Sequence, residues 1–307
     1  MDFTKDGVKT VVRNLARRSS TFINRRLINP GPSVMDEDWD TLLILDGCRA
    51  DTFAGHMHEL EVDGEYHRRV SPASSSMEFM EETFEDKEFH DTVYVTANPH
   101  IEYFDSGIFH DVFSLLSDEH WNSNLDTVLP ETVAQKGIEA RQKYPNKRLI
   151  LHFMQPHYPF IGEKGQSLPH RGYNKSLKHG HHDQPSIWDL LRDGSSCLDI
   201  SVVQEAYEEN LSIVLDTINH ILPNFNRETV VITADHGNFI GERLWPIPLR
   251  EYGHPGTAFA PETAYVPWFE ISGDDRPEIR PDPPVRSNQP KSEDLVNQRL
   301  ESLGYKE

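Results

Sequence analysis

Five short segments at 41–45 (TLLIL), 93–96 (VYVT), 148–153 (RLILHF), 229–233 (TVVIT) and 265–271 (YVPWFEI) are apolar, β-branched and almost uninterrupted by polar residues. Such runs fit strands buried on both faces, since a half-exposed strand would alternate. Helical patterns at 76–84, 127–144 and 200–221 lie between them. Alternation of this kind requires an α/β fold, a mainly parallel sheet with helices on both sides. Ligands in such sheets bind beyond the carboxyl ends of the strands. Asp46 follows the first strand, and Asp235 with His236 follows the fourth.

The chain has 307 residues, enough for one large α/β domain or two small ones. Its 50 acidic and 30 basic residues give a net charge of −20, which argues against a nucleic-acid surface. It fits a chain kept soluble by surface carboxylates, as in a high-salt cytoplasm. The two cysteines, Cys48 and Cys197, have no paired spacing and imply no disulfide framework. No apolar run reaches the roughly 18 residues that span a bilayer. The N-terminus lacks the apolar core and cleavage site of a signal peptide. The expected location is cytoplasmic.

Residues 1–26 stand apart in charge. Lys5, Lys9, Arg13, Arg17, Arg18, Arg25 and Arg26 against Asp2 and Asp6 make this segment +5, which leaves −25 for the rest. Val8, Val11, Val12 and Leu15 follow helical spacing. A basic amphipathic helix either lies on an anionic membrane surface or packs on its own domain, and packing is the preferred expectation. INPGPS (28–33) reads as a linker, which sets 1–36 apart from a catalytic region at 37–271. Within that region, 160–199 is rich in Gly, His, Ser and Pro and reads as a lid or loop insertion. Residues 272–307 read as an extended tail ending in a short helix from 293. There are no internal repeats.

VVITADHGNFIGER (230–243) carries the strongest chemical signal. Asp235 and His236 are adjacent, so they cannot share one face of a regular strand, but at a turn both can reach one ion. Carboxylate plus imidazole suits zinc, manganese or a similar divalent metal. Gly237 lets the backbone turn closely. Asp46 at a second strand end strengthens this reading.

LILDGCRAD, HFMQPHYPF and TADHGNFIGER…YGHP occur in an order and spacing that resembles the alkaline phosphatase superfamily, most closely its sulfatase-like branch. AYEENLSIVLDTI (206–218) resembles the helix before the Asp-His strand, and RLESLGY (299–305) a common C-terminal ending. The resemblance covers residues 40–271 and that ending. It implies a three-layer α/β/α sandwich that hydrolyses or transfers sulfate or phosphate esters. It also implies a nucleophile at a helix N-terminus between Asp46 and Asp235, where RRVSPASSSMEFMEETF (68–84) offers Ser74, Ser75 and Ser76.

Ser76 is the expected nucleophile, because S-M-E-F resembles the Thr-x-Glu-aromatic pattern of sulfatase-like relatives. Ser75 is its rival and a substrate contact, and with Glu78 it spells a capping box. One divalent ion (Mn, Zn, Ca or Mg) is expected, held by Asp46, Ser76, Asp235 and His236. The resemblance makes His157 a substrate ligand near the leaving oxygen, and His254 a substrate contact or leaving-group acid. Arg49 either tethers a carboxylate or contacts the ester oxyanion, and Asn98 is expected to face the same cleft. HGHH (179–182) reads as loop near the cleft mouth, and DTINH (216–220) as helix rather than a second metal motif.

Three departures weaken the name sulfatase. There is no Cys-x-Pro-x-Arg signature, Gly47 stands where those enzymes keep a second aspartate, and His236 stands where they place asparagine. The leading expectation is a metal-dependent sulfate or phosphate ester hydrolase. The runner-up is a phospho-group transferase acting on a lipid or glycan headgroup. A non-catalytic scaffold on the same fold is the alternative of another class.

Overall fold

The computed structural model describes residues 5–168, 186–194, 198–256, 258–285 and 293–303. Among them, seven strands form one sheet in the order β2 (Glu65–Val70), β11 (Tyr265–Ile271), β8 (Val230–Thr233), β1 (Thr41–Leu45), β7 (Arg148–Phe153), β3 (Phe89–Thr96) and β4 (Phe109–Ser114). The run from β8 to β4 is parallel throughout, whereas β11 is antiparallel to both β8 and β2. Two small ribbons complete the strands: β5 (Trp121–Asn122) with β6 (Thr127–Val128), and β9 (Phe239–Arg243) with β10 (Arg250–Gly253).

Both faces of the sheet are covered. Leu43, Leu45, Val93, Val95, Leu149 and Leu151 point to one side. There they meet α4 (Pro130–Lys143) and α7 (Ile200–Ile221), whose inner residues include Val133, Leu211, Val214 and Ile218. Leu42, Ile44, Tyr94 and Ile150 point to the other side, against Trp39 and against Phe79, Met80 and Phe84 of α3 (Ser76–Phe84). The expected three-layer sandwich is therefore present. Short helices α2 (Ala50–His56) and α8 (Pro261–Ala264) follow β1 and precede β11.

The sequence missed β2, β4 and the β9–β10 ribbon. EYHRRV (β2) is an edge strand with exposed and half-exposed residues, so it lacks an apolar signature. The 127–144 pattern starts as helix only at Pro130, because Thr127 and Val128 pair with the β5 ribbon.

Helix α1 (Lys5–Leu27) packs on its own domain, through its polar side. Arg17 is 5% exposed and reaches the fully buried Glu251 at 3.0 and 3.2 Å. Ser20 donates to the Trp245 carbonyl (2.5 Å), and Asn24 donates to the Phe259 carbonyl (3.1 Å).

In the insertion, α5 (Glu163–Ser167) and α6 (Ile187–Asp193) flank a small cluster. Phe160, Leu168, Ile187 and Trp188 pack there on Val203, Ala206, Tyr207 and Ile240. HGHH and Cys197 lie outside the described residues. The tail runs extended along the sheet's lower rim through backbone bonds from Arg280 to Asn146, Asp282 to His90 and Val285 to His110. It closes with α9 (Glu293–Ser302). No helix among the described residues is long and apolar enough to cross a membrane.

Without Arg17, the buried Glu251 keeps, among the described residues, only Arg13, at 3.5 Å. Arg17→Met is expected to lower unfolding free energy by about 3 kcal/mol, read by urea titration. A loss below about 1 kcal/mol would mean that Glu251 is satisfied without Arg17.

Candidate active site

Four adjacent parallel strands, β8, β1, β7 and β3, end at one place on the sheet. Register aligns Ile44 with both Thr233 and His152, and His152 with Thr96. The residues at or just beyond these ends therefore converge: Asp46, Asp235 with His236, His152, and Asn98. All five are fully buried.

The two aspartates are tied through Gly47. Its amide donates to Asp235 Oδ1 at 3.0 Å, and the His236 amide donates to the same oxygen at 2.8 Å. Gly47 holds a left-handed φ of +65°, and a Cβ there would lie 3.4 Å from His157 and 3.6 Å from His236. A Cβ there would make ordinary contact with both imidazoles, so it is the left-handed φ that favours glycine. Gly237 answers to close approach instead, since a Cβ would stand 2.2 Å from the Glu262 carbonyl oxygen.

Ser76 is the first residue of α3 and is fully buried. Its Oγ lies 3.2 Å from Asp46 Oδ2 and 3.1 Å from His236 Nε2. His236 Nδ1 is 2.7 Å from the Gly237 carbonyl, so Nδ1 carries the proton and Nε2 faces the serine with its lone pair. Ser75 takes the N-cap position but makes no side-chain cap. Glu78 turns instead to Ser74, accepting from its amide at 2.7 Å and its hydroxyl at 2.9 Å. The capping box expected for Ser75 therefore does not form, and the first-turn amides of α3 are not closed off by a Ser75 cap.

His157 and His254 are brought together, with Nε2 atoms 2.7 Å apart. His157 Nδ1 donates to the Tyr158 carbonyl at 2.5 Å, so in the neutral pair His254 Nε2–H donates to His157 Nε2. The His254 ring also lies 4.5 Å from that of His236, which makes a row of three imidazoles. Burial pushes His254 well below its ordinary pKa, with repulsion from His236 and His157 adding to it, and burial lowers His157 as well. For Asp46 burial acts upward, but contact with His152 and the fields of His157 and His236 outweigh it and hold the carboxyl below its usual range.

Arg49 and Asn98, both expected as substrate contacts, have protein partners. Arg49 bonds Asp51 at 2.6 and 2.9 Å, pairs with Glu242 and donates to the Asn238 carbonyl. Its guanidinium is occupied by carboxylates, so of its two expected roles the geometry gives the tether. Asn98 donates to Asp46 Oδ2 at 2.7 Å and accepts from the His100 amide at 3.0 Å, so it orients a carboxylate instead of facing an open cleft. DTINH lies in α7, with the Asp216 and His220 side chains about three-quarters exposed.

Three contributors escaped the sequence reading. His152 Nε2 lies 3.6 Å from Asp46 Oδ2 and 3.8 Å from Asp235 Oδ2, while its Nδ1 meets the Tyr94 hydroxyl at 2.7 Å. A histidine inside the apolar run RLILHF was the available signal. From α7, Tyr207 donates to the Gly47 carbonyl (2.7 Å) and accepts from the Arg49 amide (3.0 Å). Asn210 donates to the His157 and Pro159 carbonyls and accepts from the Ile161 amide at 2.7 Å. One helix thereby holds both the Asp46 and the His157 loops.

The donor set fits a divalent cation. Ligand atoms of Asp46, His152 and Asp235 all lie within 4.8 Å of one another. Asp235 Oδ2 and His152 Nε2 are buried without a hydrogen-bond partner among the described residues, a costly arrangement that an ion would relieve. His236 Nε2, 3.4 Å from Asp235 Oδ2, and Ser76 Oγ lie beside these atoms.

The three-layer sandwich thus carries a buried Asp–His–Ser cluster at its strand ends. No family model matches the sequence, and no curated protein is similar to it. Solved structures similar to it include the integral membrane protein lipooligosaccharide phosphoethanolamine transferase A from Neisseria meningitidis, at 14% identity and TM-score 0.43, covering 75% of this chain and 47% of that one. The C-terminal periplasmic domain of EcEptC from Escherichia coli, in complex with Zn, matches at 10% identity and TM-score 0.49 over 80% of this chain and 77% of that one. BT1596, a 2-O GAG sulfatase, matches at 14% identity and TM-score 0.47 over 83% and 66%. The chain spans about half the length of the Neisseria transferase. Likenesses this distant carry no argument about activity.

His100 gives a test of the site's burial. It donates from Nδ1 to Asn98 Oδ1 (3.0 Å), and burial pushes its pKa down to about 4. Between its unfolded value near 6.5 and 4 the unfolded chain binds a proton that the folded chain refuses, so stability falls as pH falls through that window. His100→Asn is expected to remove about 3 kcal/mol of that loss, read by denaturant titrations at several pH values. Parallel pH curves for the two proteins would show that His100 titrates normally.

Proposed function

We propose that the protein is a metal-dependent hydrolase of sulfate or phosphate esters, with Ser76 as nucleophile. The observation that carries this reading is Ser76 Oγ at the N-terminus of α3, 3.2 Å from Asp46 and 3.1 Å from His236, beside a buried donor set fit for a cation. A divalent ion held by Asp46, Asp235, His236 and Ser76 would lower the serine pKa and polarise a non-bridging ester oxygen. His152 is a further donor to that ion.

The chain's own residues supply the rest. Asn98 and the Gly47 and His236 amides fix the two carboxylates. The uncapped first turn of α3 offers N–H groups and a positive dipole end to the ester's oxygens. Ser76 Oγ, its proton given up to solvent, attacks sulfur or phosphorus in line as the bond to the leaving oxygen breaks, giving an O-sulfo- or O-phosphoserine. An arriving anion offsets the burial that keeps His157 and His254 neutral, and the protonated pair donates to the leaving oxygen. Water then discharges the serine. An alcohol at the same place would make the outcome group transfer to a lipid or glycan headgroup, which is why hydrolysis and transfer must be assayed together.

Ser76→Ala is expected to lower kcat by about a thousandfold or more on nitrophenyl sulfate, phosphate or phosphonate esters, and Ser75→Ala to leave it within about threefold. Full turnover by Ser76→Ala would refute the assignment. About one equivalent of divalent metal is expected by elemental analysis, lost in Asp235→Asn. A chain with neither metal nor ester turnover would be a scaffold.

A further inference from the structure

Helix α1 is inverted relative to an ordinary surface helix. Arg17, Ser20 and Asn24, its polar positions, are buried against the domain. Its apolar positions face outward, with Val11 58%, Val12 61%, Leu15 65% and Phe22 58% exposed. At 100° per residue these four fall within one third of the helix circumference, opposite the buried three. Arg18 and Arg26 lie in the same outward sector, and Arg26 stacks over the Phe22 ring at 3.9 Å. Neither has an ion-pair partner among the described residues, whereas Arg13, Arg17 and Arg25 are paired with Glu251 and Glu78. Beside the helix, Trp245 is 54% exposed in the loop Trp-Pro-Ile-Pro-Leu, flanked by exposed Arg243 and Arg250.

We propose that this outward face of α1 docks the protein on an anionic lipid surface. An apolar stripe edged by unpaired arginines, with a tryptophan alongside, matches the two requirements of an interfacial helix: area to bury among acyl chains and cations to meet lipid phosphates. Charge supports this occupant. The first 26 residues carry +5 on a chain of net −20, so one basic face is set on an acidic body that anionic lipid would otherwise repel. A second copy is the poorer partner, since a two-fold contact through this stripe would bring the same unpaired arginines in from both sides. The docked helix is tied to both reacting elements. It bonds the 245–259 segment that carries His254, and Arg25 pairs with Glu78 in the first turn behind Ser76.

Co-sedimentation of the full chain with vesicles tests this, comparing phosphatidylcholine alone with the same lipid containing one-third phosphatidylglycerol. The protein is expected to pellet with the anionic vesicles only. The double variant Leu15→Glu, Phe22→Glu should bind at least about tenfold more weakly, and Arg18→Gln and Arg26→Gln about fivefold each. These side chains are exposed, so melting temperatures should hold, and turnover of a soluble nitrophenyl ester should be unchanged. That assay separates failure of docking from failure of the proposed reaction. Protein that stays in the supernatant with anionic vesicles, binds neutral ones equally, or binds undiminished as the double variant overturns the proposal. So does a dimer broken by the double variant without vesicle binding, which would assign the stripe to a second copy.

Discussion

Two carboxylates buried side by side are the constraint on which the site depends. Asp46 and Asp235 end adjacent strands, are fully enclosed, and have the Nε2 atoms of His152 and His236 3.4 to 3.8 Å away. Like charges in a low-dielectric interior repel strongly unless positive charge enters between them. Much of the surrounding structure reads as provision for that pair. The Gly47 and His236 amides hold Asp235, Asn98 holds Asp46, and Ser76 is delivered to the same spot by its own helix.

The second layer of provision comes from α7, on one face of the sheet. Its inner side is mostly apolar, but Tyr207 and Asn210 break that pattern, and each serves a loop: Tyr207 the turn after β1, Asn210 the segment carrying His157. Both bonds are made to backbone, so the helix sets loop shape independently of the side chains the loops display. The clustered Asp, His and Ser side chains thus stand on strand ends and a helix terminus, with the loop residue His157 held from behind.

Legibility in the sequence followed burial. Central strands announced themselves because burial on both faces demands unbroken apolar runs. The edge strand β2 did not, because its residues face solvent and carry charge. Asp46, Asp235 and His236 were legible because acidic and imidazole groups directly after buried strands have few structural uses. His152 was hidden by the same logic: inside an apolar strand it looks like a core residue until the register sets it beside Ile44. Arg49 and Asn98 lie near the site, but their partners, Asp51 with Glu242 and Asp46, are choices of geometry that spacing does not encode.

The sequence by itself determined the α/β class, the strand ends that meet, and the residue types gathered there, since hydrophobic periodicity and chain order suffice for these. Only the tertiary structure decided strand order, the antiparallel β11, which serine points inward, and which side of α1 is buried. Each depends on long-range contact. Helical spacing in α1 describes two faces equally well, and only the buried Glu251, together with the Trp245 and Phe259 carbonyls, selects the polar one.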